Sequence, residues 1–514
     1  MISLVAVGTA ACSTSVPPAF PAAGATRSSP TPGISYSPVP IPSETGEAPP
    51  GTPAWLKREL ARRDGVVRSL DLSPTAPLTG GPVWYVDHDE ARVGSPVAVH
   101  LSAPRRTRVR VTALRIGDYG GAPARVVWRS APLFATPQPT VKAAGRRTAA
   151  NSWPTSIVVT PDSTWPPGLY VLQVAPEQGG QPSFIPLYLA NSGPKSPRLV
   201  VGSTLTHLAY NDWGGLSLYF GQGATRQKRV ESRAYIASPR RPLSGRGLTQ
   251  FAAMDVPLAM YLDRNGFAAD WTTDTALDAR PARLHGYGTV VLPGHSEYWT
   301  TAMRDRLEAA VAAGTNLAVL GGNEIHWHTR LVRDSAGSVA EMLMYRSAAL
   351  DPDPVPANKT VRWYEAPLHR DPALVTGLVT TGVGIKASPT VVATPSWAFA
   401  GTGLTVGGTL EGAYGNEGDG PSPSSPPNLQ ILLKARAVPS NGTAVLVTTS
   451  YYAAPSGAGV FNAGTTEWLC LIEDRCPADR APLTSRTAMD RLTYNVLAAF
   501  TAAEAGKRLT ASAQ

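Results

Sequence analysis

YGTVVLPGHSEYWTTAMRDRLEAAVAAGTNLAVLGGNEIHW, residues Tyr287 to Trp327, is the stretch whose reading decides the fold. The apolar run Thr289 to Leu292 ends at Pro293-Gly294, which predicts a buried strand. Thr300 or Thr301 then caps a helix with Met303, Leu307 and Val311 on one face, and Gly314 closes it. A second apolar run, Asn316 to Leu320, meets Gly321-Gly322-Asn323. Strand, helix and strand in that order imply neighbouring parallel strands. Ligands bind outside the carboxyl ends of such strands. Two polar clusters fall there: His295, Ser296, Glu297, Tyr298 and Trp299, then Asn323, Glu324, His326, Trp327 and His328. Neighbouring strands lie roughly 5 Å apart, so the two clusters are expected to share one crevice.

Working outward, the 514 residues suffice for two or three domains. The net charge of +9 raises the question of nucleic acid. The arginines are scattered, however, with no basic stripe interleaved with aromatics, and no nucleic-acid partner is expected. The chain has three cysteines. Cys12 follows MISLVAVGTAA, like the cysteine that ends a bacterial lipoprotein signal. The positive region usual before such a run is missing, which implies a start further upstream. Cys470 and Cys476, in WLCLIEDRCPAD, suit a small disulfide loop in an exported protein. No later run of about 18 apolar residues predicts a membrane span.

These signals divide the chain into a lipoprotein-type signal remnant (1–12), a disordered Pro/Ser/Ala-rich tether (13–64), a β-sandwich (65–197), an α/β domain (198–503) and a tail (504–514). A short helix from Trp55 to Arg63 is expected where the folded part begins. Short alternating runs between Gly and Pro turns, such as RVGSPVAVHL and RVRVTALR, carry the sandwich reading. After strand Arg198 to Val201, the polar and aromatic run Tyr210-Asn211-Asp212-Trp213-Gly214-Gly215 is expected to form a loop at a strand end. Residues 350 to 440 are rich in Pro and Gly and give no clear elements, although they hold Ala413-Tyr414-Gly415-Asn416-Glu417-Gly418-Asp419. Thr487 to Thr501 predicts a closing amphipathic helix.

Tyr210-Asn211-x-Trp213-Gly214-Gly215, Ser217-Leu218-Tyr219, Gly294-His295-x-Glu297-Tyr298-Trp299 and Gly321-Gly322-Asn323 with Trp327 resemble the N,N-dimethylformamidase large-subunit family. Arg115-Ile116-Gly117-x-Tyr119-Gly120-Gly121 is similar to that family's N-terminal β-sandwich. The resemblance implies a flavodoxin-like, glutamine-amidotransferase-like C-terminal domain. It also implies a mononuclear iron held by two tyrosines and one glutamate, activating water against a small amide. Tyr298 suits the first tyrosine. The second is expected after the Gly-Gly-Asn turn, where this chain has His326. Glu417 is the best match for the glutamate, with Glu411 and Glu467 behind it.

The expected metal ligands are therefore Tyr298, His326 and Glu417. Phenolate and carboxylate oxygens suit iron, and an imidazole admits zinc. Three ligands would leave room for water, as catalytic sites do. Glu297 or Glu324 would carry protons, and Asn323 would stabilise an oxyanion. Tyr210, Asn211, Trp213, His295, Trp299 and Trp327 would line the substrate pocket. Serine-hydrolase, nucleotide-binding and cysteine-nucleophile chemistries lack their motifs.

The leading expectation is a metal-dependent hydrolase of a C–N amide bond in a small or envelope-derived substrate. It would be exported and membrane-held through a lipidated Cys12, with further copies of itself as an expected partner. The alternative is a metal-free, catalytically degenerate envelope protein that binds carbohydrate or peptide through the same crevice.

Overall fold

Thr289–Leu292 pairs in parallel with Arg198–Gly202 on one side and with Asn316–Val319 on the other in the computed structural model of the protein. The structure describes residues 52–72, 81–243, 245–476 and 480–511. Cys12 and the tether up to residue 51 lie outside the described residues. Ala269–Thr273 extends the parallel set beyond Arg198–Gly202, and Gly459–Asn462 extends it beyond Asn316–Val319. In chain order these five strands lie second, first, third, fourth, fifth across the sheet. Val445–Ala453, Gln430–Ala437 and Thr390–Val391 then continue it antiparallel.

The apolar runs are continuous because both faces of these strands are covered. Val200, Val291 and Ala318 enter one core, which takes in the helices Arg246–Arg264 and Leu483–Ala499. Their neighbours Leu199, Val201, Val290, Leu292, Leu317 and Val319 enter the other, with the helices Thr204–Tyr210 and Thr301–Ala312. The period-two alternation of a strand thus feeds two layers of helices. Thr300 caps the second of these helices, its hydroxyl accepting from Met303 N at 3.2 Å.

In the N-terminal half, Val66–Val67, Ala124–Arg129, Thr107–Ile116, Gly168–Pro176 and Ser183–Leu189 form an antiparallel sheet, with Glu90–Ala91 added in parallel at its edge. Val83–Val86, Val97–Ser102 and Ile157–Val159 form a second sheet. Trp84, Val99 and Leu101 from one sheet share a core with Val109, Leu172 and Leu187 from the other. The molecule is therefore a mixed α/β protein built on several sheets. The helix Ala54–Leu60 precedes the expected boundary at residue 65 yet belongs to the fold: its buried Glu59 accepts both Nε and Nη2 of Arg125, at 2.8 and 2.9 Å.

Polar contacts join the halves. Arg115 Nη1 meets Asp263 Oδ2 at 2.6 Å in a buried pair. Asp89 accepts from Thr204 at 2.6 Å and from Thr275 at 2.7 Å, reaching the start of the helix that ends at Tyr210. A disulfide joins Cys470 and Cys476. Among the described residues no helix is long and apolar enough to cross a membrane.

Candidate functional site

The parallel strands release their chains at one end, where the strand order reverses between Arg198–Gly202 and Thr289–Leu292. This is the switch point at which open α/β sheets bind ligands. Pro293-Gly294 turns the chain toward His295, and Gly321-Gly322 turns the neighbouring strand toward Asn323. Gly321 is required by the close approach: a Cβ there would lie 2.3 Å from the Gly294 carbonyl oxygen. That approach brings the two polar clusters together, with Asn323 Nδ2 3.3 Å from His295 Nε2.

Asn323 has φ 55°, a left-handed conformation that Asn tolerates better than most residues. Its backbone N–H donates to Asp419 at 2.9 Å, its side-chain Oδ1 accepts from Thr380 at 2.6 Å, and its side-chain Nδ2 donates to Glu417 Oε2. Glu417 and Asp419 arrive on Tyr414–Gly420, which pairs antiparallel with Val379–Ala387. The region that gave no clear elements in the sequence thus supplies two carboxyls to the crevice. Burial pushes both carboxyls up, Asp419 to about 7.

His295 is buried, with Nδ1 3.0 Å from Gln250 Oε1. Its Nε2 stands 3.5 Å from Glu297 Oε2 and 3.5 Å from Glu417 Oε2. An Nδ1–H donated to Gln250 would leave Nε2 as the atom that faces both carboxyls and the Asn323 amide.

Glu297 is the hub. Its Oε1 accepts from the Trp327 indole at 2.8 Å, and its Oε2 accepts from the Tyr219 hydroxyl. Its backbone N–H donates to Thr206 at 3.0 Å, from the helix that ends at Tyr210. The rings of Tyr210 and Tyr219 pack together, their centroids 4.1 Å apart. Burial holds both phenols well above their ordinary range. One hydrogen bond and one ring contact thus gather two phenols and one carboxylate.

Tyr298, His326 and Glu417 have different partners from one another. The Tyr298 hydroxyl accepts from Arg346 Nη2 at 2.5 Å. His326 Nε2 accepts from Arg362 Nε at 3.1 Å, and its Nδ1 is buried without a partner. Burial and the charges of Arg362 and Arg346 push His326 well below its ordinary pKa, so it is neutral. Glu417 faces Asn323 and His295.

The remaining expected residues divide between bracing and lining. Glu324 Oε2 accepts from Ser296 N at 2.9 Å while Oε1 is buried without a partner, and burial pushes the carboxyl far up. It braces the 295–297 turn. Trp299 is fully buried, its indole on Ser296 O at 2.9 Å, so it supports the same turn rather than lining an open wall. Asn211 donates to Pro242 O at 2.9 Å, and Trp213 stacks edge-on against Trp153 of the N-terminal half. Trp327 lies at the crevice through Glu297. His328, from the second polar cluster, is buried against Lys359 O and Thr301.

Sequence reasoning passed over Tyr219 as a site residue, although it ends the Ser217-Leu218-Tyr219 motif. It also passed over Asp419, two residues from Glu417, and Arg346, which has no motif around it. Backbone strain marks the same region: Asn323, Ile325, Arg346 and Asn416 all have positive φ.

A family model described as N,N-dimethylformamidase beta subunit-like, C-terminal, matches residues 110–479. The chain belongs to this family. The match spans both clusters, the Tyr210–Tyr219 segment and the strand that bears Glu417. The family supports a hydrolase of the amidase kind as the coarse functional class. No curated protein matches the chain significantly. Among the described residues, no group of three or more His, Cys, Asp or Glu side chains is placed to hold a metal ion. The phenol-bearing group of Tyr210, Tyr219 and Glu297 is a donor set of a different kind.

Proposed function

We propose that this family member hydrolyses a C–N amide bond in the crevice at the carboxyl ends of its parallel strands. The observation that carries the reading is the junction of Tyr210, Tyr219 and Glu297, where one phenol donates to the carboxylate and the ring of the other packs against that phenol. Two tyrosines and one glutamate are the donor set that the family resemblance implies for a mononuclear iron. The residues fit the group in kind, since phenolate and carboxylate oxygens suit a hard ion. Tyr298 and His326 fit it less well, because each already faces an arginine. The proposed ligands are therefore Tyr210, Tyr219 and Glu297 in place of Tyr298, His326 and Glu417. When bound, such an ion polarises an amide carbonyl and lowers the pKa of water.

The chain's own residues supply the rest. His295 Nε2, between Glu297 and Glu417, is placed to take a proton from water and return it to the leaving nitrogen. Glu417, held protonated more readily by its burial, is the second proton store. Asn323 orients Glu417 through its amide. The balance is a hydrolysis: water's oxygen bonds to carbon, the C–N bond breaks, and the amine leaves with the proton.

The second-first-third-fourth-fifth strand order is that of flavodoxin-like sheets, and we assign the C-terminal half to that class. The facing sheets of the N-terminal half suit a β-sandwich. Export and a lipidated Cys12 belong to the same proposal and rest on sequence alone.

The test is elemental analysis of the purified chain, with a screen of small formamides and acetamides. About one equivalent of iron or zinc, lost in Tyr219→Phe and Glu297→Gln together with hydrolysis, is the expected result. A well-folded chain that neither contains nor takes up metal and cleaves no amide would sink the reading. It would favour a binding protein in its place.

A further inference from the structure

Arg346 follows the strand Val339–Leu343 in a left-handed conformation, φ 57°, that an arginine adopts at a cost. Its guanidinium lies 4.0 Å from the centroid of the Tyr219 ring and 4.7 Å from that of Trp327. Nη2 donates to Tyr298. Among the described residues, this is the only hydrogen bond the side chain makes, and no carboxylate lies within ion-pair distance of it. Most of its N–H fork is left without an acceptor.

Other arginines of this chain show what is missing. Arg125 has Glu59, Arg115 has Asp263 and Arg330 has Asp351. Arg241 is buried without a carboxylate, but backbone carbonyls of Trp213, Leu216 and Ser238 accept from it. Arg346 has neither kind of compensation, and a cation withdrawn from water requires one or the other. It is not sealed away: the residue is half-buried, at the crevice, against the Tyr219 ring whose hydroxyl reaches Glu297. A second guanidinium, Arg362, lies 4.9 Å from the Trp327 centroid and is paired with Glu365 at 2.8 Å. The wall made by Tyr219, Trp327, Arg346 and Arg362 is thus cationic and aromatic, with most of the Arg346 fork unfilled.

We infer that Arg346 binds substrate, and that the crevice takes amides carrying a carboxylate close to the scissile bond. The inference rests on the amide-hydrolase reading above and names its substrate class. A planar guanidinium fork receives a carboxylate through two parallel hydrogen bonds, which a lysine cannot reproduce. Stacking between Tyr219 and Trp327 fixes the plane of the fork. A small neutral amide would leave the charge as it stands.

The experiment is calorimetric binding of two probes, N-formylglycine and N-ethylformamide, to the full chain carrying Tyr219→Phe. That change keeps the ring under Arg346 and suppresses turnover. N-Formylglycine is expected to bind at least about tenfold more tightly. Arg346→Gln should erase the preference, Arg346→Lys should retain part of it, and Arg362→Gln should leave most of it. Near-ultraviolet circular dichroism checks that each variant is folded. Equal binding of the two probes, no binding of either, or a preference that survives Arg346→Gln overturns the inference. So does a rate for neutral and acidic amides that falls by the same factor in Arg346→Gln with the wild-type tyrosine, since that is the mark of oxyanion stabilisation. A preserved preference with no hydrolysis of any amide would remove the proposed activity and leave the carboxylate site standing.

Discussion

The Tyr219 hydroxyl donates to Glu297 Oε2, while the Trp327 indole holds the other carboxylate oxygen at 2.8 Å. Three elements far apart in sequence therefore meet on one carboxylate. Removing the hydroxyl in Tyr219→Phe withdraws a donor from a buried acceptor, at a cost of about 1–3 kcal/mol. The variant should melt several degrees lower and lose bound metal and hydrolysis. Tyr298→Phe provides the contrast: its hydroxyl faces Arg346, and metal content should persist. Metal lost in Tyr298→Phe and kept in Tyr219→Phe would reverse the ligand assignment.

The approach of Gly321 to Gly294 sets the distance between His295 and Asn323. A Cβ at position 321 would stand 2.3, 2.4 and 2.5 Å from the O, C and Cα of Gly294, all of them backbone atoms that cannot swing aside. Gly321→Ala should therefore destabilise by roughly 2 kcal/mol or more and part the two strand ends. Thermal unfolding and the amide assay check this. The loss of activity should remain at temperatures where the variant is fully folded. A variant with wild-type stability would show that the strand ends have more room than this geometry allows.

Asp419 gives a pH signature. It is buried, it accepts the Asn323 N–H, and burial raises its pKa from 3.8 to about 7. Because the folded protein holds this proton more tightly than the unfolded chain, the favourable contribution is fully present below the unfolded pKa. It is lost as pH rises through about 7. The full effect is on the order of 4 kcal/mol, since each pKa unit is worth about 1.4 kcal/mol. Asp419→Asn cannot ionise and should lose less stability between pH 4.5 and about 8 than the wild type does. Urea unfolding at the two pH values checks it, and parallel changes in both proteins would remove Asp419 as the cause.

The parts of the fold written in local pattern were legible in the sequence. Thr289 to Leu292 and Asn316 to Leu320 are unbroken apolar runs bounded by Gly and Pro, and both are strands of the central sheet. Thr300 was readable as a cap because its hydroxyl serves the backbone three residues on. The site was legible by local pattern beside those runs, at His295, Glu297 and Asn323, and in the polar loop that holds Tyr210, while Glu417 entered through the family resemblance. Tyr219 reaches Glu297 from 78 residues away, and a lone tyrosine after a leucine reads as core. Glu417 stands on a strand whose pairing is interrupted by two register shifts, so no alternation announces it. The pull of sequence adjacency also misled: Trp299 sits next to Tyr298 in the chain, yet the pleat and the Ser296 contact place it wholly in the interior.

Asp89 carries the N-terminal half into the site's support. Its carboxylate accepts from Thr204 at 2.6 Å, from Thr275 at 2.7 Å and from Thr273 at 3.3 Å. Thr204 also lies 2.6 Å from Asp274 Oδ1, and one hydroxyl has one proton to give. Burial pushes the Asp274 carboxyl far up, which favours its protonated form beside Thr204. Thr204 opens the helix that ends at Tyr210, so this knot sets the position of a proposed ligand. Asp89→Ala leaves these hydroxyls without their shared acceptor and should cost about 2–4 kcal/mol. It should also weaken metal retention more than it lowers affinity for N-formylglycine, because Arg346 is held by Tyr219, Trp327 and Tyr298 and not by this helix start. Melting temperature, metal content after dialysis and probe affinity, measured on the one variant, separate the two effects. Unchanged metal retention in a clearly destabilised protein would show that the helix keeps Tyr210 in place without help from the N-terminal half.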